Sequence, residues 1–169
     1  AALDRVWRLV TPNKALGLTG VRAAYAIAPR DANAELLARV RLLAPSWPLG
    51  AHGVALLQAW ARDEVHDWLL ACRDSLRLWK ARQMALLTGI GWQVQPSDAN
   101  FFVAARACLS RTGGPFDSTA GLDDLRALGF KLRDCASFGL PGRVRMAVVA
   151  PEVQDALVSA LLTKAKEAA

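Results

Sequence analysis

The sequence predicts a mixed α/β fold, and three observations carry that reading. Short β-branched or aromatic runs, such as Val6–Val10 and Val144–Val149, alternate with longer stretches whose apolar residues recur at helical spacing. Gly, Pro and Asn punctuate the boundaries between them. Hydrophobic residues make up 53% and charged residues 21% of the 169 positions, enough apolar material for a packed core and too much for intrinsic disorder. By length alone the chain is about one domain.

Taken in order, Val6–Val10 (VWRLV) is expected as a buried strand, followed by a turn at Thr11-Pro12-Asn13-Lys14, where the proline biases Thr11 away from helix. Val21–Ala28 is expected as a second strand, closed by Pro29. Asp31 is placed to cap a helix reaching Leu43, with Leu36, Leu37, Val40 and Leu43 on one face. After the breaker Ala44–Pro48, Gly50–Asp63 reads as helix with Val54, Leu57 and Trp60 as its apolar face. Val65, Leu69, Cys72, Leu76, Trp79 and Leu86 then trace one long amphipathic helix that stops near Gly89 or Gly91. Its other face carries Arg73, Asp74, Arg77 and Lys80.

In the last third, Trp92–Val94 and Asn100–Ala105 are expected as strands across the turn Pro96-Ser97-Asp98. Cys108–Asp117 reads as a loop, and Ser118 or Thr119 as the cap of a short helix carrying Leu122, Leu125 and Leu128, stopped by Gly129. Phe130–Arg133 and Val144–Val149 are further strands. Pro151 opens a final helix with Val153, Leu157, Ala160 and Leu161 inward, its Glu152 and Asp155 near the start and Lys164 and Lys166 near the end matching the helix dipole.

Charge and cysteines narrow the function classes. The formal charge is +6, but the arginines are scattered and a single tyrosine is available for base stacking, so no nucleic-acid partner is expected. No apolar run approaches the ~20 residues of a spanning helix, and Ala1–Arg5 lacks the pattern of a signal peptide, so a cytoplasmic protein without a membrane partner is expected. Cys72, Cys108 and Cys135 are odd in number, far apart and remote from His52 and His66, so neither a disulfide framework nor a metal site is expected.

Two anomalies point to chemistry. Lys14 sits in a turn after a strand, with no acidic residue within nine positions. A solvated loop lysine is the plain alternative; the functional one is an amine that loses its proton and forms a Schiff base. Arg22 falls inside an apolar run, which is costly unless it meets an anion, and Thr11 adds a hydroxyl nearby. A hydroxyl, an amine and a guanidinium converging on one point suit a phosphorylated carbonyl cofactor. Arg145 repeats the anomaly: with Arg143 and Ala147 it occupies the strand face opposite Val144, Met146 and Val148, either as a surface residue or as a fork for a carboxylate.

The segment Thr11-Pro12-Asn13-Lys14-Ala15-Leu16-Gly17-Leu18-Thr19-Gly20-Val21-Arg22-Ala23-Ala24-Tyr25 resembles the lysine segment of class I/II aminotransferases, pyridoxal-phosphate enzymes of fold type I. The resemblance is to the histidinol-phosphate aminotransferase branch, which also contains threonine-phosphate decarboxylase. Ser46-Trp47-Pro48-Leu49, Pro96–Phe102 and Leu132–Arg145 continue it, so that it covers essentially the whole chain. Departures are Asn13 in place of a serine, Ala24 in place of a glycine, and Val149-Ala150 in place of Gly-Thr.

The resemblance implies the C-terminal part of the fold type I large domain over residues 1–63, followed by a small α/β domain over 64–169. It implies that Lys14 carries pyridoxal 5'-phosphate covalently and shuttles the proton between the substrate Cα and the cofactor. Thr11, Asn13 and Arg22 would hold the cofactor phosphate, and Arg145 the substrate α-carboxylate. The implied reaction moves an amino group between an amino acid, of histidinol-phosphate or aromatic type, and a 2-oxo acid, in a homodimer. Alternatives are a threonine-phosphate decarboxylase-like enzyme of cobalamin biosynthesis and a truncated, non-catalytic module of the same fold. The N-terminal half of the fold, with its contacts to the cofactor ring, is missing from these residues, so this chain alone is expected to be inactive.

Overall fold

The computed structural model describes residues 2–106 and 118–167. They form two compact units, Ala1–Cys72 and Arg73–Ala169, dividing within one long helix.

In the first unit a 3-10 turn, Ala2–Arg5, precedes β1 (Arg8–Val10), which pairs antiparallel with β2 (Tyr25–Ile27), Leu9 opposite Ala26. Both strands are shorter than expected. β1 is not buried either, with Leu9 78% exposed, and β2 is its only strand partner among the described residues. α1 (Ala34–Leu42) is capped by Asn33, whose side chain accepts from the Glu35 N–H at 2.7 Å. Asp31, the expected cap, is instead in the turn closed by Ala32 N–H donating to Pro29 O at 3.1 Å. The Leu36, Val40 and Leu43 face of α1 is exposed. α2 (Ala51–Trp60) buries Gly53 and Leu56 and leaves Val54 exposed, against the expected face. The reason is a close backbone approach, described below. α3 (Asp63–Gly89) begins in this unit and runs as one helix into the next, as its periodicity indicates.

The second unit is an antiparallel sheet in the order β3-β4-β6-β5, formed by β3 (Trp92–Gln95), β4 (Phe101–Arg106), β5 (Arg133–Asp134) and β6 (Val144–Ala147). With it go α4 (Ser118–Ala127) and α5 (Pro151–Glu167). Alternation puts Phe102, Ala104, Val144 and Met146 in the core with Leu87 and Leu157, and puts Arg145 and Ala147 on the other face. Each fully buried large side chain here contributes about 1.5–3 kcal/mol.

β5 is shorter than expected because Phe130 and Leu132 pack against the core and Phe130 N–H donates to Leu125 O at 2.8 Å, closing α4. α5 turns Gln154 inward rather than Val153. Gln154 donates to Trp79 O at 3.0 Å and Val149 O at 2.7 Å, and accepts from Arg82 at 2.9 Å. Gln83 donates to Ala147 O and accepts from Val149 N–H, both at 3.1 Å. The expected loop Cys108–Asp117 and the capping side chains of Ser118 and Thr119 lie outside the described residues. Among the described residues no helix is long and apolar enough to cross a membrane.

Candidate functional site

In the first unit, Thr11, Asn13, Lys14 and Arg22 line one open concavity of about 430 Å³, together with Ala23, Ala24, Pro48 and Leu49. The turn after β1 builds it. Pro12 and Asn13 are buried and anchor a helical turn, Pro12 O accepting from Leu16 N–H at 3.1 Å and Asn13 O from Leu18 N–H at 2.8 Å. Lys14, the next residue, is exposed, and Gly17 reverses the chain at φ +69, a conformation that side chains with a Cβ resist.

Arg22 is also exposed and precedes β2 rather than lying within it, so the expected burial cost does not arise. Its backbone is set by α2: a Cβ on Gly53 would stand 3.0 Å from Arg22 O and 3.4 Å from the Ala23 Cβ. The lining carries two cations and no carboxylate.

Arg145 belongs to the second unit, on the exposed face of β6. Its guanidinium lies 4.9 Å from the Phe101 ring centroid and 5.8 Å from that of Phe138. Arg133 lies 5.4 Å from the same Phe138 ring and is the direct cross-strand partner of Arg145. Like charges placed opposite each other repel, and neither arginine has an ion-pair partner among the described residues. The neighbouring Asp134 carboxylate accepts from Ala136 N–H at 3.0 Å. Such a cluster is suited to an anion that bridges two guanidiniums.

Residues 6–161 match the model of the aminotransferase class I and II family. The chain belongs to that family. A histidinol-phosphate aminotransferase of Ruegeria pomeroyi is 30% identical over 148 residues, which are 88% of this chain and 38% of that protein. The histidinol-phosphate aminotransferase structure from Clostridium acetobutylicum superposes with TM-score 0.68 at 20% identity, covering 92% of this chain and 44% of that one. An L-threonine-O-3-phosphate decarboxylase structure from Porphyromonas gingivalis gives TM-score 0.62 at 20% identity, covering 95% and 46%. These likenesses show the fold, that of fold type I aminotransferases. The chain spans less than half the length of these relatives.

Class I and II aminotransferases depend on pyridoxal phosphate. The concavity fits that group: an exposed amine for its aldehyde stands with a hydroxyl, an amide and a guanidinium suited to its phosphate, with no carboxylate in the lining to repel it. Among the described residues no cluster of His, Cys, Asp and Glu could hold a metal ion. Sequence reasoning assigned no part to Gly53, Phe101, Arg133 or Phe138. Period-two alternation along β4 could have put Phe101 on the Arg145 face; the pairing of Arg133 with Arg145 depends on strand order, which no local signal encodes.

Proposed function

We propose that this chain is the C-terminal part of a pyridoxal-phosphate aminotransferase, residues 1–63 completing its cofactor domain and 64–169 forming its small domain. A preceding segment supplies the rest of the cofactor site, the enzyme works as a homodimer, and the 169-residue chain by itself is inactive. The observation that carries this reading is the meeting of Thr11, Asn13, Lys14 and Arg22 around one concavity.

When bound, pyridoxal phosphate supplies an aldehyde that captures amines and an electron sink for charge developing at the substrate Cα. Lys14 would hold that aldehyde through its Nζ and would move a proton to and from the substrate Cα as acid and base. Thr11, Asn13 and Arg22 hold the phosphate, fixing the ring relative to Lys14. Arg145 orients the substrate by its α-carboxylate, so that amino acid and 2-oxo acid bind in turn. The unpaired positive charge of Arg133 beside it favours a doubly charged phosphate in the place of the carboxylate, as in an amine of histidinol-phosphate type, over an aromatic amino acid. The free thiols Cys72 and Cys135 accord with a reducing, cytoplasmic setting.

The test is borohydride reduction of the full-length protein loaded with pyridoxal phosphate, followed by peptide mapping. The label is expected on Lys14, and a loaded protein whose label lies elsewhere refutes the assignment. Product analysis then separates the chemistries: amino transfer yields a 2-oxo acid, whereas release of carbon dioxide from threonine phosphate identifies a decarboxylase. A full-length protein that takes up no cofactor is a non-catalytic module of this fold.

A further inference from the structure

We propose that Lys80 and Ser97 are positioning residues for the substrate anion: they hold the turn before β4 so that the Phe101 ring carries the Arg145 guanidinium. The inference rests on the role given above to Arg145.

Lys80 lies on the polar face of α3 and is half-buried. It donates to Ser97 Oγ at 2.9 Å, to Ala99 O at 2.8 Å and to Ser97 O. All three of its protons are thereby used on a single turn. Ser97 Oγ in turn donates its own proton to Phe101 O, so the hydroxyl links the ammonium to the first residue of β4.

The far end of the turn is tied as well, Asn100 O accepting from Val148 N–H at 3.0 Å. Phe101 pairs with Ala147 and Val103 with Arg145, which makes the Phe101 ring the diagonal neighbour of Arg145 on one sheet face. The contact at 4.9 Å follows from that register. A guanidinium over an aromatic face keeps its charge and its donor fork while losing rotational freedom. A solvated lysine would have no reason to gather three oxygens of one turn, and a turn needed only to join β3 to β4 would not require an ammonium at its centre.

The experiment uses the full-length holoenzyme with Lys80→Met, Ser97→Ala, Ser97→Thr and Phe101→Leu. Lys80→Met, Ser97→Ala and Phe101→Leu are expected to raise KM for carboxylate-bearing substrates about five- to tenfold, the scale of one lost charged or cation–π contact. Their kcat is expected to stay within about twofold and their cofactor affinity unchanged. Ser97→Thr keeps the hydroxyl and is expected to behave as wild type. Unchanged KM in Lys80→Met and Ser97→Ala overturns the inference, as does a parallel loss of kcat and cofactor affinity that Ser97→Thr shares. Phe101→Leu removes the ring without touching the turn, so it tests the contact even where Lys80→Met fails to fold. Arg145→Gln separates the two levels. If it raises KM while the Lys80 and Ser97 variants do not, only the positioning role fails; if it leaves KM unchanged, the role of Arg145 and this inference fall together.

Discussion

At Cys135 a buried thiol meets three guanidiniums, and burial prevails. Desolvation pushes the thiol pKa up and Asp134 adds to the effect, while Arg145, Arg133 and Arg143 oppose it. The folded chain therefore holds a proton that the unfolded chain releases more readily. Stability from this site is full below the ordinary thiol range, about 8.5, and is lost as pH rises through the higher folded value. Urea midpoints at about pH 7 and about pH 9.5 should fall further for the parent than for Cys135→Ala, and equal falls would contradict the prediction.

Arg133, two residues away, tests the substrate reading. Arg133→Gln is expected to raise KM for a phosphate-bearing amine at least about tenfold while hardly changing that for its dephosphorylated analogue, as loss of one charged hydrogen-bonding partner would. Steady-state kinetics with the two substrates decide it.

Among the elements, α2 and α5 each depend on one residue whose role is not local. Gly53 lets α2 lie against the backbone of Arg22 and Ala23. Alanine there gains up to about 1 kcal/mol in helix propensity, but overpacking against a backbone carbonyl costs about 1–3 kcal/mol, and the second effect prevails. Gly53→Ala should thus weaken pyridoxal-phosphate binding to the full-length protein through displacement of Arg22, read by titration of cofactor absorbance; unchanged affinity would show that the segment gives way freely.

In α5, Gln154 is fully buried and its amide joins α3 to the link after β6. Truncation to alanine leaves two carbonyls without that donor and a cavity, at a cost of about 2–4 kcal/mol, measurable by urea denaturation. Periodicity marks its neighbour Val153 as the inward residue of the first turn and gives no part to Gln154. Only the packing of α5 on α3 supplies polar partners that make Gln154 the better fit.

At the scale of the whole molecule the two units are unequally covered. The second has a core of large side chains around Phe102 and Met146. The first leaves Leu9, Leu42, Leu43 and Trp47 78%, 84%, 85% and 90% exposed. Apolar surface on that scale marks a contact surface rather than a finished exterior. The 169-residue chain by itself is accordingly expected to self-associate and to bind an apolar dye, and the full-length protein to do so far less. Sedimentation with dye fluorescence checks this; a stable monomer that binds no dye would remove the case for a missing covering segment.

By itself, the sequence determined the α/β class, the long helix that ends at Gly89, the strands β3, β4 and β6 and the family, because these rest on periodicity and on contiguous motifs. It also singled out Thr11, Asn13, Lys14 and Arg22, which stand close together in the chain and whose residue types match one chemistry. Tertiary structure decided what depends on residues distant in sequence: the exposure of β1, the approach of α2 at Gly53, the inward turn of Gln154, and the Arg133–Arg145 pairing over Phe138. It also brought Lys80 of the long helix to the turn at Ser97 and Ala99. The physical reason is that periodicity records which face of an element is apolar, whereas burial, close approach and like-charge pairing are properties of whatever stands opposite that face.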